Sequence, residues 1–114
     1  MTKKICIVLG TRPEIIKVSP IIRECMRKDL PFFVIHTNQH YDLDMDKVFF
    51  EDLGLPQPRY NLNIRSGTHG ETTGKALMGI EKVLIKEKPY VVIAQGDTNT
   101  VLAAALATTK LHIP

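Results

Sequence analysis

Residues 5–14 have the sequence ICIVLGTRPE, and the interpretation of the whole chain starts from this stretch. Its first five residues are all apolar and mostly β-branched, which is typical of a strand buried on both faces. Gly10 permits a tight turn, and Pro13 suits the first turn of a helix because its fixed φ is helical and its missing N–H is not needed there. The stretch therefore predicts a strand, a turn and a helix in that order.

The rest of the first half repeats this alternation. A β-rich run recurs at 32–35, and a second helix is expected from Met45 to Leu53, ended by Gly54. The first helix should be kinked at Pro20. Its expected buried face consists of Ile15, Val18, Ile22, Cys25 and Met26.

The second half has the same organisation. We expect a loop over 55–70 with a short strand near 60–64, an amphipathic helix over 76–84 ended by Pro89, and a buried strand at 90–94. The run 98–109 predicts a helix that is apolar nearly all round and packed on the sheet, and 111–114 resembles the start of a further strand. The order predicts an α/β fold, a Rossmann-like, doubly wound parallel sheet, with residues 1–114 as one truncated N-terminal domain.

Composition limits the function classes. The 114 residues are 44% hydrophobic, enough for a buried core, but no apolar run approaches the ~20 residues of a membrane-spanning helix or the pattern of a signal peptide. We therefore expect a cytoplasmic protein with no membrane partner, and two buried thiols in Cys6 and Cys25. The net charge of +3 is too small for a nucleic-acid surface. Seven Lys or Arg against two Glu in residues 1–28 favour a small anionic ligand near that segment.

The turn after the first strand is the first candidate site. Gly10 lets a ligand approach the backbone, and a helix N-terminus offers free N–H groups to phosphate. Arg12 could bind a diphosphate through two parallel N–H groups, and Lys17 one turn later could add positive charge. The alternative is a capped helix whose Arg12 and Glu14 are simply solvated. The candidate substrate-binding set is Gly10, Thr11, Arg12, Pro13, Glu14 and Lys17.

The turn after the strand at 90–94 is the second candidate site. In a doubly wound sheet the first strand neighbours the strand that begins the second half, so Gly10 and Gly96 should face each other across a crevice. Arg12 and Asp97 would then face the same space, with Asp97 at the end of a central strand. The alternative is that Asp97 only caps the last helix.

Residues 37–42 follow the strand at 32–35 and form the third candidate site, in which His40 could bind a ligand or move protons.

Other known binding motifs are absent or incomplete in the sequence. The chain lacks G-x-G-x-x-G, which argues against NAD, and Gly70 to Lys75 has the wrong spacing for an ATP-binding P-loop. The acids at 42, 44 and 46 do not continue as a calcium loop and are interpreted as a solvated helix start.

Four blocks together resemble the non-hydrolysing UDP-N-acetylglucosamine 2-epimerases: GTRPEIIK at 10–17, NQH at 38–40, LNI at 62–64 and GDT at 96–98. The resemblance covers essentially the whole chain. It implies the first domain of a two-domain, B-type glycosyltransferase-like architecture that binds UDP-N-acetylglucosamine in the interdomain cleft. It also implies that the full-length protein is a homodimer acting in cell-envelope polysaccharide biosynthesis.

The resemblance further implies a mechanism in which UDP is eliminated to leave a 2-acetamidoglucal and is then added back, with no metal and no nicotinamide as catalyst. By position, Arg12 and Lys17 are similar to residues associated with the UDP-sugar, and Asp97 to an acid implicated in catalysis. Gln39 and His40 are similar to part of a second nucleotide-sugar pocket. The chain departs from the regulated members at Tyr41 and Asp42 and over 66–68, so regulation by substrate is not expected.

Two other function classes stay open. A hydrolysing epimerase or a B-type glycosyltransferase could share this first domain, because fold alone does not determine chemistry. A non-catalytic nucleotide-sugar binding module is the third possibility. Since further acid/base residues of the family would lie after Pro114, we expect this chain alone to be inactive.

Overall fold

The computed structural model describes residues 3–38, 43–65 and 67–114, and the side chains of all of these except 43–45. Strands and helices alternate along the chain. In order they are β1 (Ile5–Leu9), α1 (Arg12–Arg27), β2 (Phe32–His36), α2 (Leu43–Asp52), β3 (Tyr60–Asn61), α3 (His69–Glu87), β4 (Val91–Ala94) and α4 (Asn99–Lys110).

The four strands form one parallel sheet in the order β3-β2-β1-β4. β1 lies in the middle, with Val8 paired to Ile35 on one side and to Ala94 on the other. Strand order therefore reverses between β1 and β4, which is the switch point of a doubly wound sheet. The predicted Rossmann-like α/β fold is confirmed.

Alternate strand residues feed two separate cores, one on each face of the sheet. On one face Cys6, Val8, Phe33 and Ile35 pack against α3 and α4. On the other face Ile5, Ile7, Leu9 and Val34 pack against α1 and against Phe50 and Leu55. Helices thus cover both faces, as a parallel sheet requires.

The prediction that β4 is a buried central strand is wrong for the described residues, because it lies at the edge of the sheet and is only half-buried. The chain returns to this edge after α4, where the Pro114 carbonyl accepts a hydrogen bond from the Val92 N–H at 2.8 Å. That contact agrees with the expectation that 111–114 approaches the sheet, although no strand is assigned there.

Helix α1 runs without interruption through Pro20. A proline leaves the carbonyl four residues before it without its helical donor, and here that carbonyl belongs to Ile16. The hydroxyl of buried Ser19 supplies the missing bond by donating to the Ile16 carbonyl at 2.8 Å. The predicted buried face is confirmed except for Met26, which is 47% exposed because it lies one position beyond the last buried residue, Cys25.

The predicted ends of the other helices hold in part. Gly54 has φ 69° and ends α2 as predicted, with the Leu55 N–H donating to the Phe50 carbonyl. However, among the α2 side chains that the structure describes, the buried apolar one is Phe50, and Val48 is exposed. α3 begins at His69, inside the predicted loop, because Thr68 and Glu71 form a capping box. α4 is not buried all round, since Leu102 and Leu106 are exposed.

Both cysteines are buried and free, as predicted. Burial, and secondarily the negative charge of Glu87, raises the pKa of Cys6 to about 12. Burial also raises the pKa of Cys25, with a smaller contribution from Glu24. Because the thiolate is the reactive form, neither thiol is suited to catalysis.

A cluster of charged and polar side chains surrounds Glu87 at the end of α3. The Glu87 carboxylate, whose side chain is 6% exposed, pairs with Lys4 at 3.0 Å and with Arg59 at 3.4 Å, and the Tyr60 hydroxyl donates to it. The hydrogen bonds from Tyr60 and from Lys4 are the main reasons that the pKa of Glu87 lies below its usual value. One carboxylate at the end of α3 thus joins the residue before β1 to the start of β3.

This cluster predicts an acid-sensitive contribution to stability. Because the folded-state pKa of Glu87 is lowered, its contribution should be fully present above the unfolded value of about 4.3 and be lost as the pH falls through the folded value. In urea unfolding, Glu87→Gln should lower the midpoint at pH 7 and shrink this difference from the parent near pH 3. Glu81→Gln, on the exposed side of the same helix, is the control. An equal loss at both pH values would contradict the prediction.

Candidate active site

A cleft opens at the switch point, between the turn that follows β1 and the turn that follows β4. It has a volume of about 330 Å³. One wall comes from the start of α1 and the other from the segment that leads into α4. The lining residues are Thr11, Pro13, Glu14, Lys17, Gln95, Gly96, Asp97 and Thr98.

Gly10 is needed for the packing beneath this cleft. A Cβ at position 10 would lie 2.1 Å from the Thr37 hydroxyl oxygen and 2.5 Å from that of Thr100. These two buried hydroxyls are hydrogen-bonded to each other at 2.8 Å. The ends of β1 and β2 and the start of α4 therefore meet at Gly10, and a larger residue would push them apart. Its predicted contact with a ligand stays a prediction.

Glu14 holds the two turns together. Its buried carboxylate accepts hydrogen bonds from the backbone N–H groups of Gly10 at 2.9 Å and Thr11 at 3.2 Å through one oxygen. The other oxygen accepts from the Thr98 hydroxyl at 2.5 Å, 84 residues away. The alternative that Glu14 is simply solvated is wrong, because the residue is 4% exposed and its carboxylate is engaged by both turns.

Asp97 lies exposed in the cleft wall. The alternative that it caps the last helix is wrong, because the N-cap residue of α4 is Thr98. Thr98 gives its hydroxyl to Glu14 and makes no side-chain capping bond. Thr98 thus supplies no side-chain cap to the first turn of α4, and this positive end of the helix borders the cleft. Lys17, also exposed, contributes a cation to the same cleft.

Arg12 does not share this space, contrary to the prediction that it and Asp97 face each other. It is not among the residues that line the cleft, although its neighbours Thr11 and Pro13 are. Its Nε lies 3.4 Å from the Asp46 carboxylate, on α2. The guanidinium is thereby directed along the rim of the sheet toward the end of β2.

Asp46 and His36 are polar residues of this rim that the sequence analysis missed. Asp46 was interpreted as part of a solvated helix start, yet it is 3% exposed. Asp46 lies four residues before Phe50 and therefore on the same face of α2, but the sequence did not identify Phe50 as the buried residue of that helix. The predicted residues Gln39 and His40 lie outside the described residues, so their second pocket stays a prediction.

The described residues contain no group of three or more His, Cys, Asp or Glu that could hold a metal ion. No helix in 3–38, 43–65 or 67–114 has the length and apolar character needed to cross a membrane.

Comparison with known proteins identifies relatives along nearly the whole chain. The family model described as UDP-N-acetylglucosamine 2-epimerase matches residues 23–114. The UDP-N-acetylglucosamine 2-epimerase of Methanocaldococcus jannaschii is 66% identical over 110 residues, which are 96% of this chain and 30% of that protein. The UDP-2,3-diacetamido-2,3-dideoxy-D-glucuronate 2-epimerase of Pseudomonas aeruginosa is 48% identical over 112 residues, 97% of this chain and 32% of that protein.

Solved structures agree with the sequence relatives. The crystal structure of the M. jannaschii UDP-GlcNAc 2-epimerase in complex with UDP-GlcNAc and UDP superposes with a TM-score of 0.91 at 66% identity, over 96% of this chain and 30% of that one. The chain thus spans about 30% of the length of these relatives and has the Rossmann-like fold of the corresponding part of a B-type glycosyltransferase-like epimerase. It belongs to the UDP-N-acetylglucosamine 2-epimerase family.

Proposed function

We propose that this chain is the amino-terminal part of an enzyme that interconverts UDP-N-acetylglucosamine and UDP-N-acetylmannosamine. The observation that carries the proposal is the cleft at the β1/β4 switch point, which combines Lys17, the N-terminus of α4 and the exposed carboxylate of Asp97. Family membership and 66% identity to an epimerase support the reaction type. From the family resemblance we also infer a cytoplasmic homodimer.

Lys17, the N-terminus of α4 and Asp97 would supply part of what elimination of UDP requires. As the proton at sugar C2 is removed, the C2–H electron pair forms the C1–C2 double bond and the C1–O bond breaks, so UDP leaves with that electron pair. Negative charge then grows on the diphosphate, where Lys17 and the first-turn amides of α4 can stabilise it. Re-addition reverses these steps with the proton delivered to the other face. The cycle is redox-neutral and needs no nicotinamide.

Asp97 is proposed to transfer a proton in this cycle. Asp97→Asn should lower turnover by about two orders of magnitude or more, because positioned proton transfer contributes ~10²–10⁴-fold. The melting temperature should stay near the parent's, since Thr98 and not Asp97 is the N-cap. Asp52→Asn, exposed at the end of α2, is the matched control. Near-normal turnover in folded Asp97→Asn would remove this residue from the chemistry.

Glu14 was predicted to contact substrate, and we now propose that it holds the two turns in place. Glu14→Ala should lower the free energy of unfolding by about 1–3 kcal/mol, because it leaves the buried Gly10 N–H without its acceptor. Glu14→Gln should recover most of this loss, since its amide can accept from Gly10 and donate to Thr98. Glu24→Ala, exposed on the same helix, is the control for helix propensity. Unchanged stability in Glu14→Ala would contradict this role.

The sugar substrate is tested by product analysis with the longer protein. The P. aeruginosa relative suggests UDP-2,3-diacetamido-2,3-dideoxy-D-glucuronate as a second candidate, but its lower identity makes UDP-N-acetylglucosamine the favoured one. We expect NMR to show UDP-N-acetylmannosamine formed from UDP-N-acetylglucosamine. Free N-acetylmannosamine would indicate a hydrolysing epimerase, and sugar transfer to an acceptor would indicate a glycosyltransferase. Turnover of the diacetamido sugar alone would assign the second substrate.

A further inference from the structure

Behind Arg12 lies a pair of buried polar side chains that the proposed reaction does not use. His36 is the last residue of β2, and Asp46 lies near the start of α2. They are 1% and 3% exposed. A carboxylate is rarely buried without partners, so its contacts indicate what it does.

The hydrogen bonds of His36 define its tautomer. The backbone N–H of Asn38 donates to His36 Nδ1 at 3.1 Å, so this nitrogen accepts, and in the neutral ring the proton lies on Nε2. Nε2 is 3.1 Å from Asp46 Oδ2 and therefore donates to it. The Phe50 ring packs beside the imidazole at a centroid distance of 5.8 Å. The end of β2 thus fixes the orientation of the Asp46 carboxylate.

The second oxygen of Asp46 faces Arg12. Oδ1 accepts from Arg12 Nε at 3.4 Å, and this contact uses the Nε edge of the guanidinium. In the part of the chain that the structure describes, the two terminal nitrogens of Arg12 donate to no protein acceptor, and its side chain is 39% exposed. Two parallel N–H groups held in this way match two oxygens of a phosphate.

We propose that Asp46, itself oriented by His36, is a positioning residue that aims the guanidinium fork of Arg12 at the diphosphate of the substrate. Arg12 lies between Thr11 and Pro13, which both line the cleft, so a diphosphate that extends from the cleft past these two residues comes within reach of the terminal nitrogens of Arg12. The inference rests on the proposed function, which supplies the anion.

A purely structural role for the Arg12–Asp46 pair is less consistent with its geometry. The contact is long at 3.4 Å and its arginine is 39% exposed, so the pair contributes less to stability than one in which both partners are buried. Asp46 has a larger effect on the conformation of the Arg12 side chain than on stability. Without Asp46 the long arginine side chain is free to take other rotamers, and the entropy of ordering it is then lost when the ligand binds.

The test is a double-mutant cycle for UDP binding, measured by isothermal titration calorimetry on the full-length protein with Arg12→Ala, Asp46→Asn and the double variant. We expect Arg12→Ala to weaken binding by roughly tenfold or more, as for loss of a hydrogen bond to a charged group. Asp46→Asn should weaken it about threefold or more in the parent, but should have no further effect in the Arg12→Ala background. The carboxamide oxygen of the Asp46→Asn variant can still accept from His36, so the fold should persist.

The outcomes separate the two proposals. If Arg12→Ala weakens UDP binding and the Asp46→Asn effect is absent or simply additive, the positioning role is overturned while the proposed function stands. If Arg12→Ala leaves UDP binding unchanged, Arg12 is not a ligand contact and the positioning role falls with it. Asp52→Asn, on the same helix, is the control and should bind UDP like the parent.

A second variant tests the same geometry without touching the buried pair. Arg12→Lys keeps the charge, but an ammonium group cannot hold Asp46 by one edge and present a parallel fork by the other. We expect it to bind UDP markedly more weakly than the parent even if Asp46→Asn fails to fold. Parental UDP affinity in Arg12→Lys would overturn the proposal.

Discussion

The Glu14 carboxylate is the constraint on which the cleft depends. This single buried carboxylate accepts hydrogen bonds from the Gly10 N–H in the turn after β1 and from the hydroxyl of Thr98, the residue before α4. The two turns are far apart in the sequence. The packing of Gly10 against the hydroxyls of Thr37 and Thr100 requires the same close approach of the two turns. The relative positions of side chains on the cleft walls, including Lys17 and Asp97, therefore depend on this buried carboxylate.

Much of the fold could be predicted from the sequence because its signals are local. A strand buried on both faces appears as a continuous apolar run, as in β1, and helix boundaries follow from caps such as Gly54. The neighbourhood of β1 and β4 followed from the rules of doubly wound sheets, and the structure has that order. The start of α3 was misplaced because the glycines at 67 and 70 outweighed the capping box of Thr68 and Glu71.

The directions of polar side chains could not be predicted, because they depend on contacts between distant segments. Glu14 and Asp46 are acids near helix starts, a position at which acids are usually exposed. Only in the folded chain does Thr98 contact Glu14 and His36 contact Asp46. Arg12 likewise turns toward α2 because a carboxylate lies there, 34 residues along the chain. Residue type and spacing indicate which residues reach the rim of the sheet, but not which of them face a ligand.

The hydrogen bond from the Ser19 hydroxyl to the Ile16 carbonyl also constrains the order in which residues of helix α1 can change during evolution. Pro20 has no N–H that could donate to the Ile16 carbonyl, and the Ser19 hydroxyl donates there instead. The serine is therefore needed as long as the proline is present, whereas the proline can be replaced while the serine remains. Replacing Pro20 first supplies a backbone donor and frees Ser19 to change, whereas replacing Ser19 first leaves a carbonyl without its donor. Among diverging descendants of this sequence, loss of the proline should therefore precede loss of the serine, and the reverse order should be rare.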